Sequence, residues 1–172
     1  LDSILDECLG AGIPAISLEW HYRSRHESLI AFSNQAYYGG DLVTFPSPVT
    51  ADQAVSFRFV PKGIYESGKN GSHTNPKEAR MVVAEAVRIM RDGTDRSVGI
   101  VTFNAEQQKL IVDLLDAEVR KDPALERFTG EQAHEAVLVK NLENVQGEER
   151  DIMLFSLTYG PDIAGKISMN FG

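Results

Sequence analysis

The sequence predicts an α/β domain built in three layers, a mostly parallel sheet with helices on both faces. Apolar runs at 13–18, 98–102, 136–139 and 152–157 have no polar face, as strands buried on both sides require. Amphipathic stretches at 76–90 and 105–121 lie between runs and are long enough to be the crossovers that parallel pairing needs. The chain of 172 residues is read as one unit, 1–172, with 1–12 a helix or linker leading in and 41–75 an irregular connection.

Each element has its own signal. Leu1, Ile4, Leu5 and Cys8 share a helical face that Gly10 ends. Ile13–Leu18 reads as a strand. Leu29, Ile30, Phe32, Ala36 and Tyr37 place a helix over 25–38, closed by Gly39-Gly40, and the alternation around Phe57 and Phe59 reads as a short strand. Asn75-Pro76-Lys77-Glu78 has an N-cap residue, proline at the first helical position and glutamate at the third, the pattern of a capping box. Ala79, Val82, Val83, Ala86, Val87 and Met90 make the stripe that follows, and Asp92-Gly93 breaks it. Val98–Thr102 is a strand. Ala105–Lys121 is a helix with Leu110, Ile111, Leu114, Leu115 and Val119 on its core side, before two further strands at 136–139 and 152–157.

Composition excludes several classes. No run approaches the ~20 apolar residues of a membrane-spanning helix, and Leu1-Asp2-Ser3 carries no basic run of a signal peptide. A lone cysteine, Cys8, forms neither an internal disulfide nor a thiolate metal cluster. With 17 Lys and Arg against 25 Asp and Glu, the formal charge of −8 disfavours a broad cationic nucleic-acid surface and leaves room for a narrow track.

Reactive groups in parallel sheets lie beyond the carboxyl ends of strands. Three such segments carry polar chemistry. Leu18–His26 packs arginines Arg23 and Arg25 with Trp20 and Tyr22, an oxyanion grip in which a guanidinium meets phosphate and Tyr22 stacks on a base; a surface turn anchored by the aromatics is the alternative. Thr102–Gln107 ends a strand and opens a helix, where a hydroxyl and free N–H groups make a seat for a backbone phosphate, or where Asn104 is a plain N-cap. Val137–Asp151 joins two strands through a polar loop in which Gly147 permits tight backbone approach and Glu148, Glu149 and Asp151 pair with arginines or reach a ribose, or in which Gln146-Gly147-Glu148-Glu149 is a plain tight turn. One further stretch, Gly63–Asn70, mimics a phosphate loop, but Asn70 replaces the magnesium-binding hydroxyl and the residues after it do not open a helix. It is read as a flexible connection, so the chain carries no primary nucleotide site of its own.

Together the three segments resemble the second, RecA-like motor domain of superfamily 1 helicases, in the Upf1-like branch. Leu18-Glu19-Trp20-His21-Tyr22-Arg23-Ser24 resembles L-x-x-Q-Y-R-x, with His21 in place of glutamine. Val101-Thr102-Phe103-Asn104-Ala105-Glu106-Gln107 resembles I-T-P-Y-x-x-Q, matching at Thr102 and Gln107. Leu142–Asp151 resembles V-D-S-F-Q-G-x-E-x-D, matching at Gln146, Gly147, Glu149 and Asp151. The wording around 139–147 is closest to large bacterial DNA helicases.

That resemblance implies a set of roles. Arg23 is the catalytic arginine on the γ-phosphate of ATP; Tyr22 borders the adenine; Gln146, Gly147 and Glu149 line the nucleotide cleft; Thr102, Gln107 and Asn144 contact nucleic acid. ATP and Mg²⁺ are implied as cofactors, with Mg²⁺ held mainly by a first motor domain and no metal ligand in this chain. The implied partners are that domain and a single-stranded nucleic acid, DNA by the likeness above; the implied location is cytoplasmic. The family's next motif, R-L-N-V-A-x-T-R-A, is absent, so the sequence is expected to be a piece truncated before it, and inactive alone. Arg23 and Glu149 are expected to meet at one sheet edge. Two other readings stay open: a non-catalytic α/β binding domain, and a nuclease using Glu143, Glu149 and Asp151 for magnesium.

Overall fold

The computed structural model describes residues 3–24, 26–47, 54–68, 70–130, 133 and 135–167. They fall into two compact units that divide between Arg58 and Phe59.

In the first unit, α1 (Ile4–Gly10) starts at Ser3, whose side chain accepts the Asp6 N–H. β1 (Trp20–His21) pairs in parallel with β2 (Val43–Thr44), and α2 (Ser28–Tyr37) is the crossover between them. Asn34 on α2 clamps the entry to β2, its amide donating to the Leu42 carbonyl and accepting the Leu42 N–H, both at 3.0 Å. The expected strand over 13–18 does not form. The Val43 N–H reaches Glu19, so the ladder starts there and the run before it has no strand pairing. The strand expected at Phe57 and Phe59 is absent for the same reason: alternation needs a ladder to become a strand, and both rings are exposed. None of the described residues of this unit is buried.

The second unit holds the core. β3 (Val98–Thr102) lies between β4 (Leu138–Asn141) and β5 (Ile152–Ser156), both parallel to it, with Ile100 opposite Val139 and Leu154. α3 (Pro76–Met90) and α4 (Ala105–Lys121) pack on each other and on one face of this sheet, where Ala79, Val83, Met90, Val98, Ile100, Ile111 and Leu115 form a continuous cluster. Strand alternation puts Gly99, Val101, Met153 and Phe155 on the opposite face. An added Cβ at Gly99 would sit 2.5 Å from the Met153 Sδ, so a larger residue there needs the flexible Met153 side chain to swing aside. The polar stretch at 122–130 is folded: Asp122 caps a 3-10 turn over Pro123–Leu125 that runs into α5 (Glu126–Thr129), with Leu125 anchored in the core. Asp-Pro, a cap followed by a helix-starting proline, is the signal that marks it.

The turn after α3 supplies a pH-sensitive contact. Asp92 Oδ1 accepts the Thr94 hydroxyl and N–H, and Oδ2 accepts Arg96, which together hold its carboxyl at about 2, below the ordinary 3.8. A carboxyl whose pKa is lower folded than unfolded stabilises the fold above pH ~4, and loses that contribution as pH falls toward ~2. Asp92→Asn should therefore flatten the acid limb of the stability profile between those values and leave its slope near neutrality unchanged, as read by urea midpoints across pH.

Candidate functional site

Both long helices begin at the carboxyl end of the sheet, where α3 and α4 present their N-caps. Asn75 Oδ1 accepts the Glu78 N–H and Asn104 Oδ1 accepts the Gln107 N–H, as the sequence predicts. The capping box at α3 does not close. Instead of receiving the Glu78 carboxylate, the Asn75 N–H donates to Gln107 Oε1 at 2.9 Å. Glu78 turns its Oε1 to the Ser156 hydroxyl at 2.6 Å and the Thr158 N–H at 2.8 Å, while its Oε2 accepts the Asn75 side-chain amide at 3.3 Å. Gln107 Nε2 completes the circuit by donating to Ser156 Oγ at 3.1 Å and to the Asn75 carbonyl at 3.3 Å.

Thr102 and Gln107 are thus placed together at this edge, but neither has exposed surface. The Thr102 hydroxyl, expected to seat a phosphate, donates to the Asn104 carbonyl at 2.8 Å. Their side chains are spent inside the protein, because a hydroxyl and an amide at two adjoining helix starts satisfy otherwise orphaned backbone groups. Thr158 follows in the left-handed region at φ +67°, a costly conformation for a β-branched residue, held by Glu78 on its N–H and Asn75 on its carbonyl. Asn75, Glu78, Ser156 and Thr158 are the residues that motif reading passes over. Asn75 and Glu78 carry a signal, but it looks purely local.

The loop leaving β4 gathers another group. Asn141 Oδ1 accepts the Asn144 N–H and starts a 3-10 turn over Leu142–Asn144, which leads into a tight turn at 145–148. Gly147 has φ +85° and open space where a Cβ would go. Its glycine serves the backbone conformation rather than close approach. Gln146, Gly147 and Glu149 are exposed on this one turn, with Asn144 beside them. Glu148 fixes it: its carboxylate is 2.8 Å from Lys140 Nζ on β4 and 3.7 Å from Arg150, and the Lys140 hydrogen bond holds its pKa below the usual range. Arg150 in turn donates to the Ala136 carbonyl. Asp151, placed in a nuclease carboxylate set by the alternative reading, accepts the Ser97 N–H and hydroxyl at the amino end of β3. Among the described residues no group of three His, Cys, Asp or Glu side chains is placed to hold a metal ion.

Tyr22 and Arg23 belong to the first unit, on the turn just past β1. His21 Nε2 accepts the Ser24 N–H at 3.2 Å and lies 2.7 Å from the Ser24 hydroxyl, closing a turn that leaves Tyr22 and Arg23 exposed. His26 accepts the Ser28 N–H at the start of α2. Trp20 packs on Phe45 across the β1–β2 ladder. Gly63–Asn70, the phosphate-loop mimic, follows no strand and the next helix begins only at Pro76; Lys69 lies outside the described residues.

A parallel sheet with two helix N-caps and polar turns beyond the carboxyl ends of its strands defines an α/β domain of the kind that carries its ligand sites at that edge. The chain belongs to the AAA domain family, whose match covers residues 2–163. It is 37% identical over 148 residues to the uncharacterized ATP-dependent helicase MG140 of Mycoplasma genitalium, and 36% identical over 148 residues to its homolog in Mycoplasma pneumoniae. Each match takes in 83% of this chain, and the chain spans 13% of the length of these curated relatives.

The amide circuit makes a direct prediction. Gln107→Leu keeps volume but strips partners from the Asn75 N–H and carbonyl, and each buried group left unsatisfied costs ~1–3 kcal/mol. Gln107→Glu should destabilise as well, since a carboxylate meets the Asn75 carbonyl where the amide donated. Glu106→Gln, on the exposed side of the same turn, should change little. Urea denaturation of the three variants would check this, and Gln107→Leu with the wild-type midpoint would contradict the circuit.

Proposed function

We propose that the chain is the second motor domain of an ATP-dependent helicase, completing an ATP site held mainly by a first motor domain elsewhere in a longer polypeptide. The observation that carries this reading is the turn past β1, which presents Tyr22 and Arg23 outward from a His21–Ser24 lock. The family match and the helicase names of two relatives at 36–37% identity support it.

In this reading Arg23 neutralises charge as the γ-phosphoryl passes from ADP to water, a role worth ~10³–10⁵ in rate in analogous NTPases. Guanidinium suits it, being permanently charged and able to meet two phosphate oxygens at once. Tyr22 borders the base. Gln146, Gly147 and Glu149 line the cleft from the turn that Lys140 and Arg150 brace through Glu148. Mg²⁺ travels with ATP and is held by the other domain. Asn144, exposed on the same loop, contacts a single-stranded nucleic acid, with Thr102 and Gln107 shaping the edge from beneath. Work on DNA in the cytoplasm completes the proposal.

Two measurements test it. The purified 172-residue chain should show no magnesium-dependent ATP turnover, because Gly63–Asn70 is not a phosphate loop. In the longer protein, Arg23→Ala should cut kcat by ~10³ or more while KM stays within a few fold, as expected for a contact made in the transition state. A variant in which KM alone moved would overturn the role of Arg23.

A further inference from the structure

A groove in the second unit lies outside the three helicase-like motifs. It encloses about 520 Å³ and lies where Pro61–Ser67, the first turns of α3 and the segment at Asp162–Ile163 come together. Lys62, Lys77 and Arg80 supply three cations to its lining. Tyr65 forms its firm wall, 7% exposed, edge-on to Tyr159 with ring centres 5.2 Å apart, its N–H donating to the Pro161 carbonyl. Ile64 and Ile163 give it exposed apolar edges.

Two observations set this groove apart from an ordinary solvated surface. First, Lys62 sits at φ +56°, at the third position of a tight turn closed by the Gly63 N–H on the Val60 carbonyl. Glycine or asparagine is the low-cost residue there, so a lysine is held against its backbone preference. Lys77 pins the same turn to α3 by donating to the Pro61 carbonyl. Second, the charges are not mutually spent. Glu66 accepts the Ser72 hydroxyl, and Asp162 accepts the Ala164 and Lys166 N–H groups, so both carboxylates of the lining serve their own loops. Lys62 and Arg80 have no partner among the described residues.

We infer that this groove is a seat for the phosphate backbone of a single-stranded nucleic acid, a contact separate from the loop at Asn144 and resting on the motor-domain reading for its partner. Cations on a braced turn and on a helix flank meet successive phosphates, and the isoleucines cover the apolar faces of sugar and base. The two carboxylates in the same lining keep the net attraction small, so a strand is held loosely enough to move. A protein of formal charge −8 tolerates such a contact because it is local.

The test is fluorescence anisotropy of a labelled oligothymidylate with the 172-residue chain, titrated at several salt concentrations. Arg80→Ala and Lys62→Gly should each weaken binding several-fold and reduce the salt slope by about 0.7, the value for one lost phosphate contact on a single strand. Lys62→Gly discriminates further. Relief of the positive φ should raise the urea midpoint while affinity falls, which no unfolding artefact produces. Affinity and slope unchanged in both variants would overturn the groove, as would failure of the wild-type chain to bind at low salt. Displacement of the oligonucleotide by ATP at equal potency would also overturn it, by assigning the cations to a nucleotide. None of these outcomes touches Arg23, whose role is read separately by ATP turnover in the longer protein.

Discussion

A single buried amide organises the working edge of the second unit. Gln107 has no exposed surface, yet both ends of its side chain are occupied: Oε1 takes the Asn75 N–H and Nε2 serves the Asn75 carbonyl and the Ser156 hydroxyl. No apolar side chain of that size could do this, and no carboxylate could donate. Three elements meet at that point, the starts of α3 and α4 and the end of β5. Each brings backbone groups that its own hydrogen-bond ladder leaves unpaired. Glu78 extends the arrangement to Thr158 and stabilises the left-handed backbone that redirects the chain after β5. Among the described residues no buried side-chain polar atom is left without a partner. The groove wall at Tyr65 and the segment at Pro161 follow from that redirection.

Elements defined by local signals were legible in the sequence. β3 and α4 begin and end where the pattern places them, since an apolar run bounded by polar residues and a capped amphipathic stripe are properties of the segment itself. β4 and β5 shift by a residue or two, and α2 starts at Ser28 rather than Arg25. The strands expected at 13–18 and 57–59 failed because a strand is a property of a pair. Ile13–Leu18 has the composition of a strand, and the ladder begins at Glu19. The same distinction separates two motif residues. Gly147 is legible as a turn glycine, though for its φ rather than for close approach. Gln107 matches a motif at the right place, and its partners lie 32 and 49 positions away in sequence, where no local pattern points.

Asn75–Glu78 shows how a correct local signal can still mislead. N-cap, proline and glutamate occur at the spacing of a capping box, and the helix starts where that spacing says. In isolation Glu78 would fold back on the Asn75 N–H. Within the folded unit two competing partners intervene. Gln107 supplies a neutral acceptor to that N–H, and Ser156 with the Thr158 N–H offers the carboxylate two donors. A carboxylate gains more from two donors in a partly buried setting than from one at a helix start, so the tertiary arrangement wins.

The charge distribution gives the proposed activities a common physical basis. A net charge of −8 repels a polyanion at long range, so affinity has to come from short contacts made after approach. Cations that serve such contacts must be held in place rather than spread over a face. The structure shows three ways of doing so. Lys140 is paired with Glu148 and braces a turn, Lys77 pins the turn that carries Lys62, and the His21–Ser24 lock sets out Arg23. Where a cation is neutralised it shapes backbone, and where it has no neutralising partner among the described residues, as at Lys62 and Arg80, the proposed groove offers it to phosphate. Sequence composition averages these roles into one number; only the placement of each group separates them.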